Sequence, residues 1–159
     1  MLQRLVSIGL FNATIKKEGV AEMPENIVFR YTTPDGKTAD ISELKGKVVF
    51  INFWASWCPP CRAEMPSIAA LYKKLKQDDR FVFLLINEDE DQQNAIKYLE
   101  KNQFNLPIYK RAGTISDAIF SGTLPTTIVI NKEGEIVLRK EGMAGYDSDA
   151  FVKQLNDLL

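Results

Sequence analysis

The residues most able to do chemistry are two cysteines, Cys58 and Cys61, within the segment "FWASWCPPCRAEMP" at 53–66. Thiols at this spacing can form a small disulfide ring and reopen it. A purely structural disulfide fits less well, because such a short loop constrains the unfolded chain little. A zinc site normally needs four ligands, and the chain has no third cysteine and no histidine. The spacing therefore favours a redox-active dithiol over a structural disulfide, a zinc half-site or two inert core cysteines.

Two predicted elements position these thiols. The segment "KVVFINFWA" at 47–55 is almost continuously apolar, which is typical of a strand buried on both faces of a sheet. An apolar stripe at helical spacing follows between residues 59 and 76, formed by Ala63, Ile68, Leu71 and Leu75. The cysteines should therefore lie where a buried strand gives way to a helix.

The start of that helix suits a reactive thiol. Unpaired backbone N–H groups at a helix N-terminus favour the thiolate of Cys58, and Cys61, one turn later, can point back towards it. Pro59 and Pro60 are tolerated there because the first helical turn does not need their missing N–H groups. They should keep the segment between the sulfurs rigid.

The rest of the chain predicts an α/β protein with a mixed central sheet flanked by helices. A β-hairpin is expected at 27–41, around the turn "PDGK". Later elements are expected as a strand at 80–87, a helix at 88–104, a short strand or extended segment at 106–110, a short helix at 114–120, a strand at 126–130, a hairpin turn at 131–134 and a helix at 147–159. Asp89 or Asp91 should cap the helix at 88–104, and Asp147 or Ser148 the last helix. A solvated cap explains "EDED" better than a metal site does.

Composition excludes several other functions. The chain has 159 residues and a formal charge of -1, so no net field attracts it to nucleic acid or an anionic membrane. The absence of histidine excludes His-based catalytic triads and His-ligated metal sites. There is no apolar run long enough for a transmembrane helix, and we interpret the first residues as mature chain, a strand or a helix, rather than a signal peptide. We expect an N-terminal extension at 1–24 and one domain at 25–159.

The motif has a family resemblance. "FINFWASWCPPCRAEMP" resembles the active-site segment of the thioredoxin superfamily, and more closely its TlpA/ResA-like branch of bacterial envelope thiol-disulfide oxidoreductases. "LPTTIVINKEGEIV" at 124–137 is similar to the second signature of that family. The resemblance implies a thioredoxin fold with an N-terminal hairpin at 27–41 and a strand–helix insert at 88–110. It implies no cofactor and no metal.

The resemblance also implies roles for individual residues. Cys58 matches the exposed attacking cysteine, and Cys61 matches the buried resolving cysteine. Trp57 matches the tryptophan before the motif. Pro125 matches a proline that is cis in this superfamily, and it would lay the Leu124 backbone beside the sulfurs, where an extended substrate could pair with it.

Two positions depart from the thioredoxin pattern. Asn52 stands where thioredoxins carry a buried aspartate that assists proton transfer to the resolving cysteine, and an asparagine cannot take that proton. Glu64, one turn after Cys61, matches an acidic residue common in the TlpA/ResA branch. If it lies in a poorly solvated place, its pKa rises and it can hold or deliver a proton; the alternative is a solvated surface glutamate.

The resemblance implies a reductant of protein disulfides in the bacterial cell envelope or periplasm, fed by a membrane thiol reductase, with apocytochrome c thiols as candidate substrates in cytochrome c maturation. A cytoplasmic location is the alternative, since two cysteines suit either compartment. Two other functions stay open. A peroxiredoxin-type peroxidase would need a proline at Ile51 and a hydroxyl at Ala55, and a thioredoxin-fold binding or assembly module would leave the pair idle.

Overall fold

The computed structural model of the protein describes residues 2–16, the backbone of residues 21–22, and residues 29–159. Its helices and strands are α1 (Leu2–Ser7), β1 (Ala21–Glu22), β2 (Arg30–Thr32), β3 (Thr38–Asp40), β4 (Val48–Trp54), α2 (Pro59–Leu75), β5 (Phe81–Asn87), α3 (Gln92–Lys101), β6 (Lys110–Arg111), β7 (Thr126–Ile130), β8 (Glu135–Glu141) and α4 (Asp149–Asn156). A short 3-10 helix at Ile41–Leu44 joins β3 to β4.

The central sheet has the strand order β1-β8-β7-β4-β5. β4 runs parallel to β5, while β7 pairs antiparallel with β4 and β8 pairs antiparallel with β7. Every residue of β4 is buried, as its continuous apolar sequence predicts for a strand covered on both faces. The predicted mixed sheet flanked by helices is therefore confirmed, and the site lies at the end of its central strand.

The two faces of the sheet bury separate cores. Successive side chains of β4 point to opposite faces, so Phe50 and Trp54 enter one core and Ile51 and Phe53 the other. The first core contains the apolar faces of α2 and α4, with Ile68, Leu71, Phe151 and Leu155. The second core is closed by irregular segments and the hairpin, through Phe29, Ile41, Ile119 and Phe120.

The hairpin and the insert together form a second, small sheet of order β3-β2-β6. The predicted hairpin is confirmed by β2 and β3, with Gly36 at φ 86° in the turn, where a side chain would be strained. Residues 27 and 28 of its predicted range lie outside the described residues. Within the short strand or extended segment expected at 106–110, Tyr109 forms an isolated parallel bridge with Ile86 of the central sheet. Lys110 begins β6, which pairs with β2 through Lys110 and Arg111.

The short helix predicted at 114–120 is wrong. The segment forms one turn, in which the N–H groups of Ile119 and Phe120 both donate to the Ser116 carbonyl. Seven residues offer few helical hydrogen bonds to offset the cost of nucleation. Packing decides the conformation instead, since the Phe120 ring stacks on Phe53 with centroids 4.2 Å apart.

Helix ends resolve the predicted alternatives. Asp91, not Asp89, caps α3 by accepting from the Gln93 N–H, and Ser148 caps α4 by accepting from the Phe151 N–H. α2 extends through 17 residues, including Pro66. Within the ranges 2–16, 21–22 and 29–159, no helix combines the length and apolar character required to cross a bilayer.

The N-terminal segment begins as a helix, the second of the two forms that we expected, and then lies along the domain. Asn12 bridges to Gly145, and the Ile15 N–H donates to Gln154 Oε1 at 2.9 Å. The Gly145 N–H and carbonyl both bond to this segment, at Phe11 and Ala13. A domain boundary at residue 24 stays a prediction.

Candidate active site

The two cysteines lie where β4 ends and α2 begins. Cys58 is the N-cap residue of α2, with extended backbone angles of φ -90° and ψ 110°, and its Sγ accepts from the Cys61 N–H at 3.3 Å. The two residues are joined by a disulfide with Cα atoms 5.3 Å apart. A sulfur at this position faces the unpaired N–H groups of the helix terminus, which stabilise negative charge once the disulfide is reduced.

Burial differs from the expected contrast between the cysteines. Cys61 is fully buried, as predicted, but Cys58 is only 3% exposed, so the prediction of an exposed Cys58 is wrong for the disulfide form. The physical reason is that Cys58 folds back on its own helix, where its sulfur is bonded to Cys61. Trp57, the residue before it, is 66% exposed.

Pro59 and Pro60 are the first two residues of α2, as predicted for residues that need no N–H partner there. Pro59 is exposed and Pro60 is half-buried. Their fixed φ angles leave the segment between the two sulfurs little freedom.

Glu64 lies fully buried on α2, three residues after Cys61, in a polar network that joins three elements. Its Oε1 accepts from Asn52 Nδ2 at 2.8 Å, and its Oε2 accepts from the Ala144 N–H at 3.1 Å. Asn52 Nδ2 also donates to Thr127 Oγ1 at 2.9 Å. Asn52 on β4 thus connects α2 to β7, and the alternative of a solvated surface Glu64 is wrong.

Burial raises the pKa of Glu64 to about 8, and the hydrogen bonds from Asn52 and Ala144 and the charge of Lys140 offset only part of that effect. At neutral pH the carboxyl group is therefore mostly protonated. It can donate its proton to a base, or accept one from an acid, whose pKa is similar to its own. A nearby thiol or thiolate has such a pKa.

The Leu124–Pro125 peptide bond is cis, as the resemblance predicts. Pro125 directly precedes β7, whose first residue Thr126 pairs with Phe53 near the end of β4. The register therefore puts the Leu124–Pro125 segment at the sheet edge from which the cysteine loop leaves. Pro125 is buried, and Leu124 is half-buried against both cores.

One residue at this edge was missed by the sequence reasoning. Asp89 is 3% exposed and binds Ser56, two residues before Cys58, through the Ser56 N–H at 2.9 Å and the Ser56 hydroxyl at 2.7 Å. "EDED" contains four consecutive acidic residues after a strand, and no sequence signal says which of them turns inward. Across the described part of the chain, no group of three or more His, Cys, Asp or Glu side chains is arranged to hold a metal ion.

A mixed sheet with a dithiol pair at the N-terminus of the helix after its central strand defines a thioredoxin-fold thiol-disulfide oxidoreductase. Comparison with known proteins agrees. The profile of the family described as Redoxin matches residues 17–155. The chain belongs to this family and is a ResA-like thiol-disulfide oxidoreductase.

Individual relatives support this assignment. The chain is 33% identical over 145 residues to a thiol-disulfide oxidoreductase ResA of Bacillus cereus, covering 87% of this chain and 82% of that protein. It is 33% identical to ResA of Bacillus subtilis (strain 168), covering 80% of this chain and 72% of that protein. A thiol:disulfide interchange protein of the thioredoxin family from Chlorobium tepidum TLS superposes with a TM-score of 0.66 at 27% identity, over 88% of this chain and 99% of that one.

Proposed function

We propose that this protein reduces disulfides of other proteins by dithiol–disulfide exchange, with Cys58 as the attacking residue and Cys61 as the resolving residue. The Cys58 thiolate attacks a substrate disulfide, one substrate sulfur leaves as a thiolate, and a mixed disulfide forms. Cys61 then attacks Cys58 and releases the second substrate thiol. Two electrons pass to the substrate, which gains two protons, and the enzyme ends with the Cys58–Cys61 disulfide.

The observation that carries this proposal is the position of the disulfide at the N-terminus of α2. Cys58 is the N-cap residue, and Cys61 is sealed inside the first turn with no exposed surface. In the disulfide form both cysteines are buried, but Cys58 directly follows the exposed Trp57, whereas Cys61 lies within the first turn of α2. We assign the first attack to Cys58 because the N-cap position favours its thiolate.

We assign proton transfer to Glu64. Exchange releases thiolates and requires Cys61 to lose its proton before it attacks, so a group with a pKa near neutrality assists both events. Glu64 is three residues after Cys61 on the same helix, where residues i and i+3 lie on one face, and both side chains are fully buried. Its pKa, raised by burial to about 8, suits a group that exchanges protons with thiols.

Substrate binding is assigned to Trp57, Leu124 and Pro125. Trp57 offers a large exposed apolar surface beside the sulfurs. The Leu124–Pro125 segment ends at the same edge of the sheet, where the Leu124 backbone is proposed to pair with an extended substrate strand. Asn52, Pro59 and Pro60 shape the site without touching substrate.

Relatives named as thiol-disulfide oxidoreductases imply protein thiols and disulfides as substrates. We further propose a location in the bacterial cell envelope, with electrons supplied by a membrane thiol reductase and apocytochrome c among the substrates. Net direction is tested by the equilibrium of the Cys58–Cys61 pair with glutathione. A reduction potential near ~-270 mV supports a reductant, and one near ~-120 mV contradicts it.

Activity is tested by reduction of insulin disulfides with the wild type, Cys58→Ser and Cys61→Ser. We expect turnover by the wild type alone, and a stable mixed disulfide with substrate for Cys61→Ser. Equal, negligible activity of wild type and Cys58→Ser would instead support a binding module. Rapid stoichiometric consumption of hydrogen peroxide by the reduced protein would support a peroxidase.

A further inference from the structure

Asp89 is a buried carboxylate that none of the exchange steps uses. It is 3% exposed, whereas its neighbours Glu90 and Asp91 lie at the surface. Asp91 already caps α3, so Asp89 is not needed to begin that helix. A carboxylate buried next to a reactive loop requires hydrogen-bond donors to compensate its charge. These donors identify the part of the chain that the carboxylate positions.

Three short hydrogen bonds compensate the buried charge. The Ser56 hydroxyl donates to Oδ1 at 2.7 Å, and the Ser56 N–H donates to Oδ2 at 2.9 Å. Asn87 Nδ2 donates to Oδ2 at 2.7 Å. Bonds to an ionised acceptor at these lengths are stronger than bonds between neutral groups. Asp89 thus binds Ser56 through both the backbone N–H and the side-chain hydroxyl of that residue.

Ser56 lies in the loop of residues 55–57, which connects β4 to the N-cap Cys58. The Cys58 N–H donates to the Ala55 carbonyl at 3.3 Å, so the loop turns tightly around Ser56. Ser56 therefore lies inside the turn that leads to Cys58, while Cys61 lies within α2.

The other side of Asp89 is anchored to the insert. The Asn87 N–H donates to the Tyr109 carbonyl at 2.8 Å, and Lys110 Nζ donates to the Asp89 carbonyl at 3.3 Å. Glu88 accepts two bonds of 2.7 Å from the Arg111 guanidinium. The backbone that carries the Asp89 carboxylate is therefore anchored to the insert.

We propose that Asp89 is a positioning residue that fixes the Cys58 loop through Ser56, and so sets how readily the Cys58–Cys61 dithiol closes. The inference rests on the proposed role of Cys58 as the attacking thiol. A thiol held near its partner has a high effective concentration, and a loosened loop lowers that concentration. The disulfide then becomes less favoured relative to glutathione disulfide, and resolution of the mixed disulfide slows.

The test compares Ser56→Ala and Asp89→Asn with the wild type, Ser56→Thr and Asp91→Ala. For each purified protein, the equilibrium constant with glutathione, the rate of insulin disulfide reduction and the thermal unfolding midpoint are measured. Ser56→Ala removes only the hydroxyl bond and leaves the backbone bond, so it remains informative if Asp89→Asn folds poorly. Asp91→Ala is the matched control, because it removes a helix cap at the surface without touching Ser56.

We expect Ser56→Ala and Asp89→Asn to lower the equilibrium constant for disulfide formation roughly three- to tenfold. This is less than the full effect of losing a charge-assisted hydrogen bond, because only part of that free energy affects the positions of the two sulfurs. The rate of insulin reduction should fall with it. Ser56→Thr, which keeps the hydroxyl, should restore both values, and Asp91→Ala should lower only the unfolding midpoint.

The proposal is overturned if Ser56→Ala and Asp89→Asn change the unfolding midpoint alone, as Asp91→Ala does. The glutathione equilibrium needs no protein substrate. If the wild type fails to reduce insulin while the equilibrium constants differ as expected, the proposed function is wrong and the positioning role of Asp89 stands.

Discussion

Asn52 Nδ2 donates a 2.8 Å hydrogen bond to Glu64 Oε1, so the two positions at which this chain departs from the thioredoxin pattern are direct partners. Both side chains are fully buried, one on the central strand and the other on the helix that carries the cysteines. The proton that thioredoxins hold on a strand aspartate is proposed to reside here on a helix glutamate, which the strand asparagine orients.

Glu64→Gln should change the pH dependence of insulin disulfide reduction. Because burial raises the Glu64 pKa to about 8, the wild-type profile should show an inflection near that pH that the variant lacks. Loss of a proton-transfer group should lower the rate near neutral pH by roughly tenfold to a hundredfold. Rates measured from about pH 5 to 10 in both proteins check this, with the surface variant Glu90→Gln as a control for the charge change. Coincident pH–rate profiles of the wild type and Glu64→Gln would contradict the proton-transfer role of Glu64.

Stability should also depend on pH through Glu64. The pKa of this carboxyl is raised in the folded protein to about 8 from its ordinary value of 4.5, so between these values the folded state holds a proton that the unfolded state has lost. Stability must then fall as pH rises through this window, by up to ~1.4 kcal/mol per pH unit. Urea unfolding of the oxidised proteins should show that Glu64→Gln gains stability relative to the wild type from about pH 5 to 8. Parallel stability curves would contradict the pKa shift.

Asn52→Asp should place a second carboxyl group within hydrogen-bond distance of Glu64. Two like charges this close cannot both ionise in a buried site, so the pair should share a proton and titrate as a coupled unit. We expect the variant to lose stability above neutral pH, where the second proton must leave. Unfolding curves at about pH 5 and pH 9 measure this, and a variant as stable as the wild type at the higher pH would argue against the buried arrangement.

Trp57→Ala should weaken substrate binding and leave the fold intact. The side chain is 66% exposed, and surface substitutions usually change stability by less than ~0.5 kcal/mol. We expect a higher KM for insulin reduction with a small change in kcat. Trp54→Ala is the contrasting control, because Trp54 is 1% exposed and its loss should cost ~3–5 kcal/mol of stability. An unaltered KM in Trp57→Ala would show that Trp57 is not part of the substrate-binding surface.

Phe120→Ala should destabilise the protein by ~3–5 kcal/mol, since it removes a buried ring stacked at 4.2 Å on Phe53 of the central strand. The half-buried Phe104 offers the matched control Phe104→Ala, which should cost less. Urea unfolding compares the two variants. A loss below ~1 kcal/mol for Phe120→Ala would show that this segment is not held by packing on the sheet.

Local signals in the sequence were sufficient for the reactive segment. The continuous apolar run of β4 predicts a strand covered on both faces, and the spacing of Cys58 and Cys61 before an amphipathic stripe predicts a dithiol at a helix start. Pro125 could be assigned only through the family resemblance, because a proline before a strand is by itself an ordinary strand start.

Other features depended on contacts between distant residues. The segment at 114–120 has a helical pattern, yet Phe120 stacks on Phe53 and the chain forms only a turn. Asp89 and Asp91 look alike in "EDED". Asp89 is nonetheless buried and accepts a hydrogen bond from Ser56, whereas Asp91 caps α3 at the surface.

The sequence by itself determined the class of chemistry, because two thiols at this spacing before a helix start are local features, and the absence of histidine follows from composition alone. Only the tertiary structure decided how that chemistry is supported. Burial of Glu64 depends on α2 packing against β4 and on the Ala144 loop closing over it, and its raised pKa follows from that burial. An apolar run can predict its own burial, but the exclusion of solvent from a glutamate on an amphipathic helix depends on the assembled fold, and the sequence around Glu64 does not indicate it.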